Sequence, residues 1–144
     1  LGSVHQAGQR SIGAAMFPAS LLLCAIFYWP IDPLIFQGAA LILGLSDGLA
    51  GLIGQRFGRR SYAITGPKTI EGSLAFFIIT TLILTLFTLH DQNFNLFHFL
   101  AIIIAALLIT VAEGIASKGW DNLPVALLGG LSIYILVTIH LGSD

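Results

Sequence analysis

Five apolar runs of about twenty residues each divide this chain and leave little between them for a soluble core. They fall near Ile12–Trp29, Pro33–Gly54, Gly72–Leu89, Phe97–Gly114 and Leu123–Leu141. At a rise of about 1.5 Å per residue, roughly twenty residues of helix cross the ~30 Å hydrocarbon core of a bilayer. Apolar residues make up 56% of the chain and charged residues 9%, against about 25% charged in soluble domains. The runs are apolar all round, which suits helices facing lipid or enclosed by neighbours better than surface helices. The expected fold is all-α, a polytopic transmembrane helix bundle of about five spans forming one domain over residues 1–144. The opening Leu1-Gly2-Ser3 carries no initiator Met and no signal-peptide pattern, and reads as an internal start or a cut.

The charges are few, so their positions carry the information. A net charge of −1 offers no global attraction to nucleic acid. With alternating crossings, Arg10, Arg56, Arg59, Arg60, Lys68 and Lys118 all fall on one side, and Asp32, Asp91 and Asp144 on the other. The positive-inside rule makes the first side cytoplasmic, together with the N-terminus and the loops at 55–71 and 115–122. Tyr28 and Trp29 then fall at the outer interface and Trp120 at the inner one. Cys24, the single cysteine, excludes an internal disulfide and reads as packing. His5, His90, His98 and His140 show no metal-ligand spacing, and the last three fall at or near the outer side.

Asp47 stands out because a carboxylate in hydrocarbon costs about 2.5–3.5 kcal/mol on insertion scales. It lies seven residues before Gly54, hence roughly 10 Å below the helix exit. Glu71, Glu113 and Asp121 also lie at or near cytoplasmic helix ends, so the four could face one shallow cavity open to that side. Cations and the backbone N–H groups of a Gly-rich turn bind phosphates. Carboxylates hold Mg²⁺ together with phosphate oxygens, and phosphoryl transfer needs those parts plus a group that orients the attacking hydroxyl. A lipid acceptor can arrive laterally from the bilayer. The pattern favours an enzyme that joins a soluble phosphate donor to a membrane lipid.

The run Ser46-Asp47-Gly48-Leu49-Ala50-Gly51-Leu52-Ile53-Gly54-Gln55-Arg56-Phe57-Gly58 resembles the aspartate–glycine motif of the polyprenol kinase family, which includes dolichol, phytol and CTP-dependent diacylglycerol kinases. Pro67-Lys68-Thr69-Ile70-Glu71-Gly72-Ser73 resembles its second motif. Glu113 followed by Asp121-Asn122-Leu123 resembles its third. The resemblance runs from about Arg10 to the end. It implies a kinase that uses CTP and Mg²⁺ to phosphorylate a lipid alcohol such as a polyprenol, phytol, dolichol or diacylglycerol. In that reading Asp47, Glu113 and Asp121 are catalytic, and Asp47 and Asp121 also hold the metal. The nucleotide meets Gly48, Gly54, Arg56, Gly58, Arg59, Lys68, Glu71, Gly72 and Asn122. The family usually carries further helices and a basic element upstream of the Asp motif, where this chain has only His5, Gln9 and Arg10.

Each residue also has a plainer reading. Gly44, Gly48 and Gly51, and Ala50 with Gly54, are spaced for close helix packing. Gly54 and Gly58 suit a helix C-cap. Arg56, Arg59 and Arg60 suit topology anchors on lipid headgroups. Glu71 suits a helix start, and Asp121, Asn122 and Pro124 suit the next one. Three rival functions stand beside the kinase. Cytidylyltransferases share parts of the pattern and form a CDP-lipid. A small transporter subunit would also use an intramembrane Asp with glycine packing. A CDP-alcohol phosphotransferase needs two further Asp residues after Asp47, and none follows before Asp91.

Overall fold

The computed structural model describes residues 2–62, 68–89, 95–116 and 120–141, with side chains from residue 13 to residue 138. Five helices stand where five apolar runs were expected: α1 (Gly2–Tyr28), α2 (Pro33–Phe57), α3 (Ile70–Thr88), α4 (Leu96–Ile115) and α5 (Asn122–Leu141). By length and composition α2, α3 and α4 can each cross a membrane. The stretches Gly13–Tyr28 of α1 and Asn122–Thr138 of α5 are shorter apolar helices. The side chains of His5, Gln9, Arg10 and His140, and the whole of Pro67, His90, Asp91, Lys118 and Asp144, lie outside the description.

Local chemistry sets the helix ends. The turn between α1 and α2 closes through Asp32 N–H to the Tyr28 carbonyl at 2.9 Å. Asp32 Oδ1 then accepts from Leu34 N–H at 2.8 Å, with Pro33 at the first helical position; proline has no N–H to leave unsatisfied there. Asn95 caps α4 in the same way, accepting from His98 N–H at 3.2 Å and contacting His98 Nδ1 at 2.8 Å. Within the apolar helices, Thr81, Thr85, Thr88 and Thr110 donate back to carbonyls one turn earlier. Those bonds satisfy hydroxyls that hydrocarbon would leave without a partner.

The core forms where α3 packs against α2, α4 and α5, while α1 lies on α2 and α5. Ile42, Leu43, Phe76, Leu84, Ile102, Ile109 and Ile133 are fully buried there. Tyr28 closes the α1–α5 contact: its ring lies against Gly130, and its hydroxyl donates to the Leu127 carbonyl at 2.7 Å. The outward surface is apolar too, with Leu22, Ile26, Leu52, Leu82, Leu86, Leu107 and Leu108 exposed. Water would penalise so large an apolar band, and lipid would not.

Two features go beyond the expected outline. Ile42–Ser46 is a π-helical turn inside α2, immediately before Asp47. The polar connection between α2 and α3 carries a short antiparallel pair, β1 (Ser61–Tyr62) with β2 (Lys68–Thr69), in the register Ser61↔Thr69 and Tyr62↔Lys68.

Candidate active site

The π-helical turn sets the position of Asp47. A π turn inserts one residue into the helical repeat and shifts the face that later residues present. Here Ser46, fully buried, accepts a hydrogen bond from buried Thr80 Oγ1 of α3 at 3.0 Å. The next residue is Asp47, half-buried. Carboxylate oxygens of Asp47, Glu113 and Asp121 lie within 4.8 Å of one another. Residues 66 and 74 positions from Asp47 in sequence thus converge on one point.

Lys68, on β2, reaches into this group. Its Nζ donates to Glu113 Oε1 at 2.7 Å and to Asp121 Oδ2 at 3.1 Å, and also to the Glu113 backbone carbonyl. The three side chains keep 14%, 9% and 13% of their exposure respectively, so little water screens the pairs. The helices cooperate with the charges. Glu113 is in the last turn of α4, where carbonyls lack helical partners and attract a cation. The Asp121 carbonyl accepts from Val125 N–H at 3.2 Å at the start of α5, where the helix dipole favours an anion. Burial acts against the Lys68 charge. The hydrogen bonds and attraction of Glu113 and Asp121 outweigh it and hold its pKa above the ordinary lysine value.

The donor set fits a hard divalent cation. Three carboxylates against one ammonium leave a surplus of two negative charges. Glu113 Oε2 is buried without a hydrogen-bond partner among the described residues, an arrangement whose cost falls if the oxygen meets a cation.

Not every expected residue joins this point. Glu71 lies at the start of α3, outside the carboxylate cluster, and accepts from Arg60 N–H at 3.5 Å. Asn122 is buried, and its Nδ2 donates to the Gly13 carbonyl of α1 at 3.5 Å. Arg56, Arg59 and Arg60 are exposed at the end of α2 near the hairpin, with the Arg56 guanidinium 5.8 Å from the Phe57 ring.

The glycines divide into two sets. A Cβ on Gly72 would come within 3.0 Å of the Ala50 carbonyl and 3.4 Å of Gly54 Cα, and one on Gly54 within 2.7 Å of Thr69 Oγ1. Gly58 ends α2, its N–H donating to the Gly54 carbonyl at 3.0 Å, and it too lies against Thr69. These three let α2 and the start of α3 touch. By contrast, a Cβ on Gly44, Gly48 or Gly51 would meet nothing within 4 Å among the described residues. Packing therefore does not account for them there.

Two residues that sequence reasoning passed over hold the site in shape. Thr69 is the N-cap of α3, its Oγ1 accepting from Gly72 N–H at 3.1 Å; a Thr immediately before the first residue of an apolar run was a readable cap signal. Tyr62 pairs with Lys68 across the hairpin. Its hydroxyl shares a 2.5 Å hydrogen bond with Ser73 and lies against Gly114, beside Glu113. Nothing in the sequence distinguishes that Tyr from any loop aromatic.

Fold and site together define a helical bundle of apolar spans with an acidic centre at one end, bridged by a lysine from a short hairpin. Comparison with known proteins agrees with that picture. The chain is 30% identical over 132 residues to the phytol kinase of Synechocystis sp., a match covering 88% of this chain and 55% of the relative. That similarity supports the resemblance of this chain's three motif segments to the polyprenol and phytol kinase family. The chain spans about half the length of the curated relative it matches. No protein-family model and no solved structure matches it.

Proposed function

We propose that this chain carries the phosphoryl-transfer centre of a membrane kinase that uses CTP to phosphorylate a lipid alcohol. The observation that carries the reading is the meeting of Asp47, Glu113 and Asp121 within 4.8 Å, bridged by Lys68. Each of the three segments that resemble the family contributes to this meeting point: Asp47 from the first, Lys68 from the second, Glu113 and Asp121 from the third. The relative's name, phytol kinase, supports an isoprenoid alcohol as acceptor.

In this reading Asp47 and Asp121, with Glu113 behind them, would hold Mg²⁺, which supplies charge neutralisation for the donor phosphates. Lys68 keeps Glu113 and Asp121 in place. Arg56, Arg59 and Arg60, exposed at the same end, receive the triphosphate from the cytoplasmic side. Asp47 makes no ion pair with Lys68 among the described residues, and it is our choice for the proton acceptor. The lipid hydroxyl gives its proton to Asp47 as its oxygen bonds the γ-phosphorus. The bond from that phosphorus to the β–γ bridging oxygen breaks, and lipid phosphate and CDP leave.

The test is transfer of label from γ-³²P-CTP to phytol, farnesol, undecaprenol or diacylglycerol by the purified chain with Mg²⁺. Labelled lipid phosphate is expected. No transfer to any of the four overturns the reading, and label passing from α-³²P-CTP to an added lipid phosphate replaces it with a cytidylyltransferase.

A further inference from the structure

Resting on the kinase reading, we infer that the groove between α4 and α5 holds the hydrocarbon tail of the acceptor, and that it takes one chain. The groove has a volume of about 470 Å³ and is lined by Ala101, Ala105 and Leu108 of α4 and by Leu128, Ser132 and Leu136 of α5, among others. That volume lies in the range of single small-ligand sites, about 300–1,000 Å³. Ser132 is the one polar side chain in its lining. Ala101 and Ala105 stand one turn apart, and their short side chains give the groove its depth. Ile104 and Leu108, Leu131 and Ile135 are exposed along its rims, so it opens sideways. In a bilayer that mouth faces lipid, and a membrane-resident alcohol enters without crossing water.

Continuity with the carboxylates identifies the occupant. The groove runs from Phe97 to Ile109 along α4, about 18 Å at 1.5 Å per residue. Glu113 stands one turn beyond Ile109, and Asp121 stands two turns before Leu128. The two helices that wall the groove are the two that Lys68 bridges at its end. A chain lying in the groove therefore directs its head toward the reacting centre. The alcohol matches both parts: a hydrocarbon tail for the walls and a hydroxyl for the carboxylates. The furrow is walled by one face of each of two helices along its whole length. A single-chain alcohol fits it, and the second chain of a diacylglycerol would lie outside.

The experiment has a catalytic and a binding arm, both on the full chain in phosphatidylcholine vesicles. Ala105→Phe fills the groove floor and is expected to cut transfer to phytol by about tenfold or more, with transfer to the shorter geraniol unchanged. Ala101→Leu, a smaller change, should give the same selectivity in weaker form and covers a folding failure of the first. In the binding arm, a phytol analogue with a diazirine near its tail end is photolysed. It should label peptides of α4 and α5 and be displaced by phytol. An unchanged chain-length profile in both variants overturns the proposal, as does labelling confined to other helices. Groove labelling by a protein that transfers no phosphate leaves the groove standing and removes the kinase reading.

Discussion

Lys68 Nζ lies 2.7 Å from Glu113 Oε1, and this ion pair ties a two-residue strand to the last turn of a helix 45 residues away in sequence. Removing one partner of a buried pair leaves an uncompensated charge and costs about 3–5 kcal/mol. Lys68→Met should therefore lower the melting temperature steeply, because it leaves three carboxylates together without their ammonium. Mg²⁺ supplies the missing positive charge, so the variant should be stabilised by Mg²⁺ more than the native chain is. Equal Mg²⁺ shifts in thermal melts of the two proteins would count against the site.

The same contact fixes a pH dependence. Glu113 and Asp121 raise the Lys68 pKa in the folded protein above its ordinary 10.5. A group whose folded pKa is raised stabilises fully below its unfolded value and loses that contribution as pH climbs through the folded one. This contribution should stay constant from neutral pH up to about 10 and decline above 10.5. Melts at stepped alkaline pH should fall faster for the native chain than for Lys68→Met.

The glycines separate packing from function. Gly72→Ala pushes a methyl against the Ala50 carbonyl and Gly54 Cα, both backbone atoms that cannot rotate away. Overpacking of that kind costs about 1–3 kcal/mol. Gly48→Ala meets nothing within 4 Å among the described residues, and alanine favours a helix over glycine by about 0.5–1 kcal/mol. Stability of Gly48→Ala should hold or rise. If its phosphoryl transfer nonetheless falls, the open face beside Asp47 belongs to a substrate. If Gly72→Ala melts like the native chain, the close crossing of α2 and α3 is wrong.

What the sequence disclosed follows the range of the physics involved. Helices depend on local apolar composition, and all five were legible from it, with Asp32 and Pro33 marking the start of α2. The site residues were legible as types, because Asp47, Lys68, Glu113 and Asp121 are expensive in or beside an apolar span. A shared cavity for Asp47, Glu71, Glu113 and Asp121 was legible from their sidedness. That Lys68 joins it while Glu71 does not depends on helix packing and on the π-helical turn before Asp47, which no residue spacing announces. Gly54 and Gly58 were candidate phosphate contacts, and the structure gives them a packing role against Thr69. Glu71 and Asn122 sat inside motif-like segments, yet one faces Arg60 and the other Gly13. Motif membership alone does not say which neighbour a side chain meets.

Tyr62 tests whether the hairpin positions Lys68. Its hydroxyl bonds Ser73 at 2.5 Å and lies against Gly114, while its backbone pairs with Lys68. Tyr62→Phe deletes one hydrogen bond, for about 0.5–1.5 kcal/mol. A purely structural role would lower the melting temperature and leave the kinetics of surviving protein intact. Positioning of Lys68 should also raise the apparent KM for CTP, with Ser73→Ala giving the same shift and the double variant adding little to either. Independent, additive effects of the two substitutions would argue against a shared brace.

Asp47→Asn separates the chemistry from the scaffold. Asp47 shares a 4.8 Å cluster with two other carboxylates, and removing one negative charge from such a group relieves repulsion. A neutral amide is also less costly than a carboxylate inside an apolar span. The folded protein should therefore melt no lower than the native chain in the absence of Mg²⁺. Without a proton acceptor and a metal ligand, transfer from γ-labelled CTP should drop by at least the ~10²–10⁴-fold that general base catalysis contributes. The stabilisation by Mg²⁺ should shrink with it, because one of three ligating groups has lost its charge. Loss of transfer with an intact melt and a diminished Mg²⁺ shift locates the reaction at this residue. Retained transfer would move both the proton acceptor and the metal away from Asp47, leaving Glu113 and Asp121 as a structural pair around Lys68.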